Sequence, residues 1–201
     1  KSLTAQYTVN KLLEAKKLDV AYIFSKTCQL NDNWLSIPNK YKCEFMDYKK
    51  INKIIDKQMK LAKAKSKKLK QVCLIFDDVI DSGGTKHELK DMFNDLFSRG
   101  RHFKISIILA NQYVKNIVTP VVRSNIDYLF ISCNTTEVLY FIHSMVIYNE
   151  NKKKFVDFIN NHSTDYFFVM FDNITKDNNR RWFRIKADPK YIESRIGKNK
   201  Y

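Results

Sequence analysis

The stretch of this sequence best suited to chemistry is an apolar run that stops at two adjacent acids. Residues 71–78 read QVCLIFDD. Uninterrupted apolar residues of this kind predict a central parallel strand with both faces covered. Because acids are depleted inside sheets, we expect Asp77 and Asp78 at the strand's carboxyl tip, where parallel sheets bind ligands. Two solvated acids that open a loop would give the same local pattern.

Lys1 and Ser2 give a second chemical signal. Lys-Ser closes the phosphate-binding pattern G-x-x-x-x-G-K-[ST] directly before a helix, and the glycines would lie upstream of Lys1. In that pattern, backbone amides and the helix N-terminus cradle phosphates, the lysine reaches the terminal phosphates and the hydroxyl holds magnesium. The dipeptide is common by chance, but its place before a helix and ahead of the acidic strand favours a nucleotide site. We therefore expect the chain as given to start inside its own phosphate-binding loop.

A third candidate, Gln112, follows the apolar segment KISIILA over 104–110. That segment predicts a buried strand, and its polar end would lie beside the tip that carries the two acids. A side-chain amide in that place is suited to sensing a bound phosphate. A helix or loop cap is the alternative role for Gln112.

The elements that must position these residues alternate between helix and strand. The sequence predicts helices over 1–17, 51–68, 87–99, 135–148 and 152–161, and strands over 19–25, 71–78, 104–110, 127–133, 166–171 and 181–186. Residues 28–47 and 79–86 are expected to be loops, and the last two strands a hairpin. This order predicts an α/β fold, a mainly parallel sheet with helices on both faces and a C-terminal hairpin.

Length and composition indicate one globular domain over 1–201, with a basic tail over 188–201. The 201 residues are 44% hydrophobic, enough for a sizeable core. No apolar run approaches the roughly 20 residues that span a bilayer, so we expect a soluble intracellular protein with no membrane partner. The four cysteines lack C-x-x-C spacing and are expected to be reduced thiols, not zinc ligands.

The charge is strongly positive, with a formal net charge of +15. Ten lysines and one acid lie between Lys49 and Lys70. Such a field favours a polyanionic partner, although a solvated lysine-rich helix would show the same composition. The candidates for nucleic-acid contact are Lys57, Lys60, Lys63, Lys65, Lys67 and Lys68.

Taken together, these features resemble the P-loop ATPases of the FtsK/HerA superfamily. The similarity is greatest to the genome-packaging ATPases of poxvirus, giant-virus and virophage type double-stranded DNA viruses. The matching segments follow the order of the family and cover about two-thirds of the chain: Lys1-Ser2 before a helix, VCLIFDD over 72–78, SRGRHFKISIILANQ over 98–112 and PVVRSNIDYLF over 120–130. The resemblance implies a RecA-like (ASCE) P-loop fold.

The resemblance also implies a role for each polar residue at the expected site. Asp77 corresponds to the Walker B carboxylate that holds Mg²⁺, and Asp78 to the residue that polarises the attacking water. Most relatives have Glu in place of Asp78, and the shorter side chain leaves its carboxylate about one methylene further from the water. Gln112 corresponds to the γ-phosphate sensor. Lys1 and Ser2 correspond to the phosphate lysine and the magnesium hydroxyl.

Ring ATPases of this kind complete the site with an arginine from a neighbouring subunit. Arg123 is the preferred candidate for this arginine finger, because it follows a proline-containing loop ahead of a strand. Arg99 and Arg101 are the alternatives. A surface charge or a contact with the phosphate backbone would explain any of the three equally well.

The implied function is ATP-driven, magnesium-dependent translocation of double-stranded DNA into a preformed capsid. The implied partners are DNA, a homo-oligomeric ring of five or six subunits and capsid portal or vertex proteins. The lysines named above and the loop over 81–86 would line the DNA channel. The expected location is a viral factory in the host cytoplasm, or the virion. The alternatives are another FtsK/HerA-type DNA motor and a nucleic-acid-binding module that keeps the fold without hydrolysing ATP.

Overall fold

The computed structural model of the protein describes residues 2–29, 34–79, 86–111, 117–146, 151–177 and 181–186. The chain divides into two compact units, residues 1–112 with 188–201, and residues 113–187. The single domain over 1–201 stays a prediction, and the basic tail over 188–201 lies outside the described residues.

The first unit is built on a four-stranded parallel sheet in the order β2-β1-β3-β4. Its strands are β1 (Val20–Ser25), β2 (Lys42–Cys43), β3 (Val72–Asp77) and β4 (Ile105–Ala110). Its helices are α1 (Ser2–Glu14), α2 (Tyr48–Lys63) and α3 (Lys86–Arg99). The helix, strand, helix, strand order that the sequence predicts for this part of the chain is confirmed.

Helices cover both faces of this sheet, because alternate side chains of each strand point to opposite sides. On one face, α1 packs against the strands in a core of buried residues that includes Ala5, Val9, Ala21, Ile23, Cys73 and Ile75. On the other face, Phe24 of β1 stacks on Phe76 of β3, and Phe93 of α3 meets Phe76 edge to face. All six residues of β3 are buried, as the unbroken apolar run predicts.

The predicted loop over 28–47 is wrong in one respect, because it contains the short strand β2. Lys42 and Cys43 pair in parallel with Ile23 and Phe24. Two residues are too few to show a period-two pattern, and their pairing depends on the neighbouring strand. The sequence could not reveal this strand locally.

The bounds of α2 also differ from the prediction of 51–68. The helix begins at Tyr48, because the Asp47 side chain accepts a hydrogen bond of 2.9 Å from the Lys50 amide and caps the helix. It ends at Lys63, and the Ser66 amide then donates to the Leu61 carbonyl at 3.0 Å. This hydrogen bond closes the turn that stops the helix.

The second unit is a three-stranded antiparallel sheet covered by helices. Its elements are α4 (Pro120–Ser124), β5 (Tyr128–Ile131), α5 (Thr136–His143), α6 (Lys152–His162), β6 (Phe167–Asp172) and β7 (Trp182–Lys186), with strand order β5-β6-β7. The antiparallel pairing of β6 with β7 confirms the predicted C-terminal hairpin. Five buried residues form its core: Ile131, Leu139, Phe155, Ile159 and Val169. None of the described helices is long and apolar enough to cross a membrane.

Candidate nucleotide site

The site forms where the strands of the first unit end. Parallel register places Asp77 opposite Ser25 of β1 and Ala110 of β4, so three strand tips lie side by side. Ser2 opens α1 at the same place, and its Oγ donates a hydrogen bond of 2.9 Å to Oδ1 of Asp77. The two residues that the family resemblance assigned to magnesium are therefore in direct contact.

Asp77 is a buried carboxylic acid, with 3% of its surface exposed. Burial raises the pKa of Asp77 above its ordinary value, and the nearby charge of Asp78 raises it further. The Ser2 hydroxyl opposes this rise in pKa, as does the indole N–H of Trp34. A carboxylate taken out of water is stabilised when a cation lies beside it, and Asp77 is therefore placed to hold one.

The oxygens present fit a magnesium ion. A hydroxyl and a carboxylate are hard donors of the kind Mg²⁺ prefers, and Mg²⁺ completes its shell with water and substrate phosphates. Within the described ranges, no group of three or more His, Cys, Asp or Glu side chains could hold a metal alone. Ser2 and Asp77 would therefore supply only part of the coordination, as in a site shared with a nucleotide.

Asp78 adopts a conformation that few residue types accept. Its φ of 46° lies in the left-handed region, where Asp and Asn are several-fold enriched among residues other than Gly. Its amide donates to the Ala110 carbonyl of β4 at 3.0 Å, which fixes the turn at the strand tip. The side chain is exposed at the edge that carries Asp77. The left-handed backbone therefore favours Asp over a longer side chain at this position.

Trp34 is a neighbour of this site that sequence reasoning missed. It has 1% of its surface exposed and belongs to the core between α1 and the sheet. Its N–H favours the charged form of Asp77, yet among the described residues it has no hydrogen-bond partner of normal geometry. The available signal was a tryptophan among the turn-forming residues of 31–39, which indicates an anchor but not what it faces.

Several predicted site residues lie outside the described residues. They are Lys1, Gln112 and the residues of the 81–86 loop up to Thr85. The last described residue before Gln112 is Asn111, which directly follows β4 at the carboxyl end of the strands.

The three candidate arginines have different surroundings. Arg123 lies in α4, and its Nη1 donates to the Ser144 carbonyl at 2.8 Å, at the end of α5. Arg99 forms an ion pair with Asp95 one turn earlier in α3. Arg101 is exposed in the turn before β4, so it lies at the opposite end of the strands from Asp77. The assignment of an arginine finger to any of them stays a prediction.

The candidate DNA-contact lysines are all exposed, as predicted. In α2, the side chains of Ile51, Ile54 and Gln58 are buried, and those of Lys57 and Lys60 lie on the outer side. Lys63 ends the helix, and the segment that leads back to β3 carries Lys65, Lys67 and Lys68. Their contact with DNA stays a prediction.

Comparison with known proteins identifies the family. A family profile described as Poxvirus A32 protein matches residues 33–199, which includes Asp77 and Asp78. This chain belongs to the Poxvirus A32 protein family. The predicted relationship to viral P-loop ATPases of poxvirus type is thereby confirmed.

One sequence relative of this A32 family chain is the uncharacterized protein 015R of Frog virus 3 (isolate Goorha). The two are 33% identical over 86 residues, which is 40% of this chain and 24% of that protein. The chain therefore spans about a quarter of the length of this relative.

Solved structures similar to the A32 family chain come from viruses of Sulfolobus. The genome packaging NTPase B204 of Sulfolobus turreted icosahedral virus 2, in complex with AMPPCP, has a TM-score of 0.59 at 17% identity, with 92% of this chain and 90% of that chain covered. The DNA-packaging ATPase B204 of Sulfolobus turreted icosahedral virus has a TM-score of 0.56 at 20% identity, with the same coverage. This likeness confirms the predicted α/β fold class.

Proposed function

We propose that this protein hydrolyses ATP with Mg²⁺ and uses the energy to package duplex viral DNA. The observation that carries the proposal is the hydrogen bond from Ser2 Oγ to Asp77 Oδ1, at the carboxyl ends of a parallel sheet in a Poxvirus A32 family chain. It joins the two halves of a magnesium and phosphate site. The complexes of the B204 protein of Sulfolobus turreted icosahedral virus 2 with AMPPCP and with ATP-gammaS support ATP as the ligand.

Ser2 and Asp77 are the residues of this chain that would hold the metal. Bound Mg²⁺ would neutralise charge on the phosphate oxygens during transfer. The protein's own part is to fix the two oxygens before the nucleotide arrives, because α1 and β3 both belong to the packed core. We assign the phosphate contact to Lys1 and the γ-phosphate contact to Gln112.

Asp78 is the residue that we assign to the attacking water. Its carboxylate would accept a hydrogen bond from that water and orient it toward the γ-phosphate. The left-handed backbone and the bond from its amide to Ala110 fix the position from which the side chain leaves the chain. A side chain that starts from a fixed position suits phosphoryl transfer, in which positioning supplies most of the catalysis.

A ring of subunits would complete the site with an arginine in trans, and Arg123 remains our preferred candidate. Because its Nη1 donates to the Ser144 carbonyl, the guanidinium would have to reach a neighbouring subunit's phosphate with its other N–H groups. The same proposal includes a pentameric or hexameric ring of subunits. Its other partners would be capsid portal or vertex proteins, and its location a viral factory in the host cytoplasm or the virion.

A triplex-displacement assay with the complete protein tests this function. A labelled third strand bound to duplex DNA should be released when ATP and Mg²⁺ are present, and not with a non-hydrolysable analogue. Hydrolysis without release would reject translocation and leave an ATPase of another kind. Binding of duplex DNA with no hydrolysis at any Mg²⁺ concentration would favour the nucleic-acid-binding module instead.

A further inference from the structure

Three segments of the first unit meet at the end of the sheet that lies opposite the nucleotide site. Residues 15–19 precede β1, residues 64–71 precede β3 and residues 99–104 precede β4. Because β3 lies between β1 and β4 in a parallel sheet, all three segments approach the same edge side by side. We call these three segments together the basic edge.

Backbone hydrogen bonds join the three segments into one surface. The Asp19 amide donates to the Gln71 carbonyl at 2.9 Å, which links the first segment to the second. The Val72 amide donates to the Lys104 carbonyl at 2.9 Å, which links the second to the third. The basic edge is therefore held in a fixed arrangement.

A buried side chain of α2 strengthens the same arrangement. Nε2 of Gln58 donates to the Lys70 carbonyl at 2.7 Å and to the Phe103 carbonyl at 2.8 Å. Gln58 has 4% of its surface exposed, so both bonds are shielded from water. One side-chain amide thus connects the second and third segments to helix α2.

The charge of the basic edge is almost entirely positive. In these fully described segments the only carboxylate is that of Asp19, and its Oδ2 accepts a bond of 2.6 Å from the Gln71 amide. Nine exposed cations accompany it, of which Arg99 is ion-paired with Asp95 in α3: Lys16, Lys17, Lys65, Lys67, Lys68, Lys70, Arg99, Arg101 and Lys104. Four of these cations were not among our DNA-contact or arginine-finger candidates: Lys16, Lys17, Lys70 and Lys104.

Each segment also holds one lysine in a backbone conformation that favours glycine or asparagine. The φ angles are 53° at Lys16, 48° at Lys65 and 55° at Lys104. A lysine there costs about 1 kcal/mol in backbone strain. The helix dipole attracts cations only in and near the last turn, so it does not account for the cations further along the segments. Lysine stands at all three positions in place of the glycine or asparagine that this backbone favours, and this adds to the positive charge of the edge.

From this placement we propose that the basic edge binds the phosphate backbone of the DNA that the protein moves. The proposal rests on the proposed function and adds the location of the DNA contact. Neighbouring strands lie about 4.8 Å apart, so the cations of the three adjacent segments lie close enough together to contact several phosphates of one duplex. Contacts of this type need no base recognition, which suits a protein that must move any sequence.

The basic edge and the nucleotide site then lie at opposite ends of one strand, β3. Lys70 precedes β3 at the basic edge, and Asp77 ends β3 at the nucleotide site. Six strand residues separate the ends by about 20 Å. Because β3 is buried on both faces, it forms a rigid connection between the DNA contact and the site of hydrolysis.

Replacement of the three strained lysines by asparagine tests the proposal. The variant Lys16→Asn, Lys65→Asn, Lys104→Asn removes three charges, and Asn accepts a positive φ. In the complete protein without nucleotide, we expect the slope of log K against log salt for duplex DNA binding to fall by about 2 to 3. The urea midpoint should stay the same or rise, which a purely structural role of these lysines would not allow.

The variant Lys90→Gln, Lys153→Gln, Lys176→Gln is the matched control, because it removes three exposed charges outside the basic edge. It should change the salt slope by less than half as much. An equal change in both variants, or a greater loss of binding to anionic vesicles than to duplex DNA, would overturn the proposal. Magnesium-dependent ATP turnover without DNA should match that of the unaltered protein in both variants. Failure of the unaltered protein to hydrolyse ATP would instead reject the proposed function.

Discussion

The Ser2 hydroxyl donates a hydrogen bond of 2.9 Å to the Asp77 carboxylate across 75 residues of sequence. This bond joins the first turn of α1 to the tip of the central strand β3. It brings the end of a phosphate-binding pattern and a pair of acids into one site. The chemistry proposed for this protein depends on that contact.

Replacement of Ser2 by alanine should weaken magnesium-dependent nucleotide binding. The change removes an oxygen from the metal site and leaves the buried Asp77 carboxylate with one hydrogen bond fewer, at a cost of about 1 kcal/mol in stability. In the complete protein, we expect the affinity for a nucleotide analogue in Mg²⁺ to fall at least about tenfold, measured by calorimetry. Ser2→Thr keeps the hydroxyl and should stay within about threefold of the original affinity. Equal affinities for the alanine and threonine variants would remove Ser2 from the metal site.

Replacement of Asp78 by asparagine should separate ATP binding from hydrolysis. Asn fits the φ of 46° at this position, so the fold and the nucleotide affinity should persist. Turnover should fall by about a hundredfold or more, because the amide is a poor acceptor for the proton of the attacking water. Unaltered turnover would exclude Asp78 from this role.

The companion change Asp78→Glu tests whether the left-handed backbone at this position favours aspartate over a longer side chain. A longer side chain in the left-handed region should lower the free energy of unfolding by roughly 1 kcal/mol or less. Urea unfolding measures this difference directly. A glutamate variant more stable than the original would show that the backbone does not select aspartate here.

Gln58→Leu should destabilise the protein by about 2–3 kcal/mol at nearly constant side-chain volume. The change leaves the carbonyls of Lys70 and Phe103 without their buried donor. Gln71→Leu is the matched control, because Gln71 is partly exposed and its Nε2 makes a long bond of 3.4 Å, to Ser106, as its one side-chain bond among the described residues. It should cost less than about 0.5 kcal/mol. Similar losses in the two variants would contradict the anchoring role of Gln58.

Stability should fall at alkaline pH because of Cys73. Burial raises the pKa of this thiol from 9.0 to about 12. Between these values the unfolded chain loses the proton while the folded chain keeps it, so the free energy of unfolding decreases as pH rises. The slope contributed by one such proton is at most about 1.4 kcal/mol per pH unit.

The variant Cys73→Val should lose this contribution, and urea unfolding at pH 8, 9, 10 and 11 measures it. Exposed Cys133→Val is the matched control and should keep the original slope. If Cys73→Val and the original protein show parallel pH dependence, the buried thiol is not its source.

Strand β2 and the start of helix α2 are features of the fold that the local sequence did not predict. The predicted C-terminal hairpin is present. The apolar run of β3 predicted a real strand, because burial on two faces leaves a direct mark on residue type. Strand β2 leaves no such mark, since its two residues are defined by pairing with β1. The early start of α2 depends on the Asp47 cap, which hydrophobic periodicity does not show.

The sequence by itself determined that this chain has a strand ending in two acids, helices between parallel strands, a C-terminal hairpin and a large positive charge. These properties follow from residue type and local spacing. Only the tertiary structure decided that Ser2 touches Asp77, that Asp78 takes a left-handed backbone and that Lys16, Lys65 and Lys104 share one edge. These relationships depend on strand order and register, which long-range packing fixes and no short window of sequence contains.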